Sequence, residues 1–170
     1  MKKLLLSVAA TALFATGALA ADLNATPASY DSATFDWDGF YIGLGVSGTS
    51  WVPASPSYGY IDVIAGFNAT SGDMLFGAEA WISGYSDGTA SGYSGGAEAR
   101  IGYLVSPEAL VYLSIGGTAF DAGAQYGQIG GGVEFAVTND VTLDLEYKYA
   151  AWTNTAFNSH TVSASANWHF

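Results

Sequence analysis

The sequence predicts an all-β protein, an eight-stranded antiparallel up-and-down transmembrane β-barrel. Three observations carry that expectation. From Gly39 to the last residue, apolar and polar side chains alternate with period two in eight runs, and no segment shows a convincing helical period. Each run is about as long as a membrane-crossing strand, ~9–11 residues, or slightly longer. Charged residues make up 11% of the chain while 50% is hydrophobic, where a soluble surface carries roughly 25–35% charge.

Taken in order, the chain opens with "MKKLLLSVAATALFATGALA", which reads as a cleaved signal peptide over 1–20. Lys2 and Lys3 form its positive start, Leu4 to Phe14 its apolar stretch, and Ala18-Leu19-Ala20 its cleavage site. Residues 21–38, "ADLNATPASYDSATFDWD", lack periodicity and read as a flexible periplasmic segment ahead of a barrel over 39–170. The expected strands lie at 39–49, 59–70, 74–85, 92–105, 109–120, 125–137, 141–152 and 160–170. Ser71-Gly72-Asp73, Ser106-Pro107-Glu108 and Thr138-Asn139-Asp140 are tight turns, whereas "SWVPASPSY" and "TNTAFNS" are longer connections. Short turns on one side and longer loops on the other suit a barrel standing in an outer membrane, turns toward the periplasm.

The stretch "VTLDLEYKYA" shows which face is which. Val141, Leu143, Leu145, Tyr147 and Tyr149 share one parity; Asp144, Glu146 and Lys148 share the other. Extended to every strand, the polar parity holds Asp62, Glu79, Glu98, Arg100, Glu134, Asp144, Glu146 and Lys148 together with many glycines. Small and polar residues suit a cramped lumen. The apolar parity places Phe67, Phe76, Tyr103 and Phe135 beside the tight turns, and Phe40 and Phe170 at the two ends of the barrel sequence. That level matches an interfacial aromatic girdle, so the charges are expected inside and the apolar set against lipid.

Composition narrows the function. Once Lys2 and Lys3 are removed, Arg100 and Lys148 are the only Lys or Arg left against 15 acids, which argues against nucleic acid as a partner. Cys is absent and there are two His, so neither disulfides nor the usual zinc sites are expected, and no cofactor is.

"DWDGFYIGLGVSGTSW" resembles the Trp-x-Gly-Phe-Tyr-[Ile/Val]-Gly opening of small Gram-negative outer-membrane proteins in the opacity-protein-like, OmpA-like barrel superfamily. The resemblance is to the alphaproteobacterial "porin family" branch, and it continues through "GDMLFGAEAWI", "GGAEARIGYLVSPEALVYLSIGGTAF", "GGGVEFAVTNDVTLDLEYKYA" and "HTVSASANWHF". It implies a monomeric barrel in contact with outer-membrane lipid and lipopolysaccharide, inserted by the outer-membrane assembly machinery. That machinery would read the terminal strand through Trp168 and Phe170, with Ser165 standing where Gly is usual. The connections "SDGTAS" and "DAGA" are shorter than the adhesive loops of many such proteins.

Small barrels that deacylate lipid A place a His and a Ser two residues apart on a lipid-facing strand. Here His160 has the outward parity, but Val162 occupies the partner position, so no nucleophile is activated. His169 faces inward, and hairpin counting brings it close to Asp144, as a structural pair. Counting also sets Glu79 beside Glu98, with Arg100 on the diagonal, and Glu134 opposite Asp144. An eight-stranded barrel is just wide enough for side chains to fill. The expectation is therefore a structural, non-enzymatic envelope protein with an acid-rich plugged lumen, a small cation-preferring channel being the alternative. Replacing Trp168 and Phe170 by Ala should lower the heat-modifiable folded barrel recovered from outer membranes; unchanged yield would count against this assignment of the last strand.

Overall fold

In the computed structural model, the residues described are 35–170 apart from 53–56, 87, 90, 122 and 152–157. The expected signal peptide and most of the 21–38 segment lie outside them. Eight strands follow in order: β1 (Gly39–Val52), β2 (Ser57–Ser71), β3 (Met74–Ser86), β4 (Ser91–Ser106), β5 (Ala109–Phe120), β6 (Gln125–Ala136), β7 (Val141–Ala151) and β8 (Asn158–His169). Each pairs antiparallel with the next, and β8 returns to β1 to close the barrel. The closing ladder runs from Tyr41 opposite His169 to Val52 opposite Asn158. The ladders reach beyond the visible alternation, as in Ser50 opposite Ser57, because backbone pairing continues where side-chain patterning fades.

At the turn end, β2 and β3 meet in a two-residue hairpin with Ser71 opposite Met74. Its first central residue is Gly72 at φ 61°, a left-handed conformation that glycine adopts without penalty.

Parity separates two surfaces. Outward side chains are apolar and open: Leu113 is 67% exposed, Ile115 64% and Ile82 70%. A continuous apolar belt of this extent needs lipid around it. Phe40, Phe67, Phe76, Tyr103, Phe135 and Phe170 all lie on this outer surface. Phe40 sits directly opposite Phe67, with ring centroids 5.0 Å apart. Inward residues are closed off, among them Glu134 at 0% and Arg100 at 3% exposure.

Large inward rings are accommodated by glycines on the neighbouring strand. Tyr41 lies opposite Gly66, Trp81 opposite Gly96 and Tyr112 opposite Gly132. A Cβ at Gly66 would stand 2.2 Å from the Tyr41 ring and one at Gly96 2.4 Å from that of Trp81, so neither position tolerates a side chain without displacing a ring.

The flexible reading of 21–38 needs correction at its end. Phe35 and Trp37 are buried with Leu75, Leu110 and Tyr112 in one apolar cluster at the turn end. The Trp37 indole N–H donates to the Pro107 carbonyl at 2.9 Å. Asp38 accepts hydrogen bonds from the backbone N–H and the hydroxyl of Thr70. Burial of the two rings, together with the Trp37 and Asp38 hydrogen bonds, offsets the backbone freedom that the short segment loses.

Leu113→Arg, on the outer belt near mid-strand, should destabilise the barrel by about 2–4 kcal/mol. Urea unfolding in lipid vesicles measures it; wild-type stability would mean that this face does not meet lipid.

Candidate functional site

All eight charged strand residues project into the lumen, where they sort around two cations. Arg100 on β4 is the lower centre. Its Nη1 lies 3.1 Å from Glu79 Oε2 on β3, and its Nη2 lies 2.7 Å from Glu134 Oε2 on β6. The Tyr41 hydroxyl donates to the same Glu79 oxygen at 2.7 Å and accepts from Arg100 at 3.2 Å. The guanidinium carbon also stands 4.4 Å from the Tyr112 ring centre, a favourable cation–π geometry. The other Glu134 oxygen accepts from the Thr142 hydroxyl and from Asn167 Nδ2. One arginine thus ties together residues from seven of the eight strands.

Lys148 on β7 is the upper centre. Its Nζ lies 2.8 Å from Glu98 Oε2 on β4 and 2.9 Å from Glu146 Oε2 on its own strand. It sits 4.2 Å from the centre of the Trp81 ring. The Lys148–Glu98 pair joins strands that are three apart, so it crosses the lumen. Glu146 additionally accepts from Ser114 at 2.7 Å.

Two acids stand apart from the cations. Asp62 accepts from the hydroxyls of Ser47 and Ser83. Asp144 accepts from Tyr112 at 3.0 Å, and its second oxygen is buried without a protein partner, as is Glu98 Oε1. The space remaining in this part of the lumen is about 60 Å³, bordered by Asp62, Glu79, Trp81, Asp144, Glu146 and Lys148.

Ladder counting located Glu79 opposite Glu98 and Glu134 opposite Asp144 correctly. Its placement of His169 beside Asp144 needs correction. Asp144 pairs with Ser165, whereas His169 Nε2 lies 3.2 Å from Thr142 Oγ1 and 3.6 Å from Glu134 Oε1. His169 also packs against Phe35, Trp37 and Tyr41, so it couples the polar lumen to the aromatic cap below.

Sequence reasoning missed the aromatic clusters at both ends. Phe35 and Trp37 cap the turn end. At the loop end, inward Trp51, Tyr58, Tyr60, Tyr85, Phe120 and Tyr126 form a chain of ring contacts with centroids between 5.5 and 6.4 Å. The signal was available, since these residues share the inward parity.

A closed barrel with an apolar belt outside and paired charges inside defines the class: this is a small eight-stranded β-barrel protein of the Gram-negative outer membrane. Its relatives place it among named proteins of that membrane. The chain is 29% identical over 154 residues to the 22 kDa outer membrane protein of Rhizobium leguminosarum bv. viciae, covering 76% of this chain and 71% of that one. It is 28% identical, over the full length of both chains, to the 31 kDa outer-membrane immunogenic protein of Brucella melitensis. No protein-family model matches it. Among solved structures it superposes on Neisserial surface protein A, NspA, with TM-score 0.52 and 24% identity, covering 78% of this chain and 97% of that one. On Ail of Yersinia pestis the TM-score is 0.58 with 10% identity, over 78% and 99% of the two chains. These superpositions establish a shared fold.

Arg100→Met should destabilise the folded barrel by about 3–5 kcal/mol, because it strands Glu79 and Glu134 as unpaired buried charges. Glu98→Gln, which leaves Lys148 paired with Glu146, should change stability little. Equilibrium unfolding of both variants in lipid vesicles checks this, and equal effects would contradict the hub role of Arg100.

Proposed function

We propose that this barrel is a structural component of the outer membrane, contributing to envelope integrity with a plugged lumen and no transport or catalysis of its own. The tight turns and the N-terminal aromatic cap face the periplasm, and the longer loops face outward. Trp168 and Phe170, 54% and 70% exposed on the outer surface, serve as the terminal signal for the assembly machinery. The barrel works as a monomer.

The observation that carries the plug is the Lys148–Glu98 bridge across the lumen, stacked above the Arg100 cluster. A permeating ion would have to separate both sets of buried pairs. Breaking a buried pair typically costs ~3–5 kcal/mol. The aromatic residues at each end add layers with no hydrating groups along most of their surface. Against catalysis, His160 Nδ1 is engaged by the Tyr147 phenol rather than by a carboxylate or serine, so neither a nucleophile nor an orienting acid is in place.

A second reading, a narrow cation-preferring path, draws on the inward count of six carboxylates against Arg100 and Lys148. Anything that passed would be positive. Planar bilayer recordings on purified protein separate the two. The plug predicts no steady conductance for wild type and brief cation-preferring events for Arg100→Met. A wide, stable, ohmic pore in wild type would overturn the plug.

A further inference from the structure

Arg100 and Lys148 both point into the lumen, so among the described residues no lysine or arginine reaches the lipid-facing surface. The strands' only basic side chain on that surface is His160, and it is not isolated. It is exposed near the start of β8, with Tyr149 directly opposite on β7 and Ser50 directly opposite on β1. The Tyr147 hydroxyl lies 2.6 Å from His160 Nδ1. The imidazole centroid is 6.1 Å from the Tyr147 ring and 5.3 Å from the Tyr149 ring.

The level of this group in the membrane follows from strand geometry. Trp168, in the turn-end aromatic belt, shares β8 with His160. Eight residues at ~3.3 Å each on a strand tilted by ~40° climb roughly 20 Å, close to the ~25 Å height of the apolar band. His160 therefore stands at the opposite interface, where tyrosines are at home and lipid head groups begin.

A phosphate oxygen at Nε2 selects the forms of the ring in which that nitrogen carries a hydrogen. When the phenol donates to Nδ1, the imidazole's own hydrogen sits on Nε2; in the imidazolium both nitrogens carry one. In both forms Nε2–H points away from the phenol and has no partner among the described residues. No carboxylate of the described strands shares this outer face to compete for it. Tyr147 and Tyr149 hold the ring, and the exposed Ser50 hydroxyl lies beside it as a second donor.

We propose that Ser50, Tyr147, Tyr149 and His160 form a lipid contact site for the phosphomonoester of a glycolipid in the outer leaflet. The acyl chains of that lipid would lie along the neighbouring apolar strip of Val46, Leu145 and Val162. Assignment to the outer leaflet rests on the proposed orientation with the loops outward; the site itself does not depend on whether the lumen conducts. A phosphate oxygen accepts from Nε2–H, a charge-assisted hydrogen bond that weakens when either the phosphate or the imidazole is removed.

The full-length barrel purified in maltoside micelles, which carry no phosphate, provides the test. Bisphosphorylated lipid A, its dephosphorylated counterpart and inorganic phosphate are added separately. Bound lipid is counted by native mass spectrometry, and the His160 ring nitrogens are followed by NMR. Wild type should retain the phosphorylated lipid about tenfold better than the dephosphorylated one, and the Nε2 resonance should shift with the phosphorylated lipid alone. His160→Phe, which keeps the ring packing, should abolish that preference, and Tyr147→Phe should reduce it. Equal retention of both lipids by wild type, or an undiminished preference in His160→Phe, would overturn the site. An equal shift with inorganic phosphate would overturn its lipid character. Should His160→Phe fail to give a heat-modifiable barrel, the wild-type comparison and Tyr147→Phe decide, and an undiminished preference in Tyr147→Phe then counts against it. Micelles expose both barrel ends, so a negative result reflects the site and not the orientation in the cell.

Discussion

Hydrocarbon offers a peptide group nothing to hydrogen-bond, so every backbone N–H and C=O in the membrane must find a partner in the chain. The ladder from β8 back to β1 meets that demand by leaving no strand edge. Much of the rest follows from this closure. Once each strand is paired on both sides, alternate side chains are forced into two environments that share no boundary except the sheet itself. The outer one accepts only apolar groups. The inner one, in a barrel of eight strands, is a column about one side chain wide on each wall, which brings distant charges into contact.

Buried ion pairs seldom add stability relative to well-packed apolar residues, because removing charges from water costs so much. Their presence here has another rationale. A barrel with apolar residues on both faces would have no preferred inside. With Arg100, Glu134 and Lys148 on one parity, a one-residue slip of β4, β6 or β7 would turn a charge into lipid. The penalty is largest at mid-membrane and falls toward the interfaces. The charges thus specify register and handedness of faces, and their pairing keeps the penalty of burial tolerable. Packing supplies a second check, since Tyr41 and Trp81 fit only where Gly66 and Gly96 stand opposite.

The strands, the inward set and the neighbouring acid pairs were legible because each depends on period two and on adjacent ladders, both of which are local in sequence. What spans the lumen was not. The contacts Arg100–Glu134 and Lys148–Glu98 join strands two and three apart, and their distance depends on strand tilt and stagger, which alternation does not encode. His169 was misplaced for a different reason: counting back across the long connection between β7 and β8 slipped along the ladder, which sets Asp144 opposite Ser165 and brings His169 level with Asp140. Phe35 and Trp37 were hidden by their small, acidic neighbours. Their odd numbering continues the inward parity of Tyr41, the one trace in the sequence of where they would settle.

The cap formed by those two residues reports on the barrel as a whole. Its floor is assembled from distant parts of the chain: Leu75 at the start of β3, Leu110 and Tyr112 at the start of β5, the Pro107 carbonyl between β4 and β5, and His169 at the end of β8. None of these surfaces alone could bury an indole. The seat for Trp37 is therefore a property of the closed barrel and of no hairpin within it, and an indole held there reports that the seam between the last strand and the first is made.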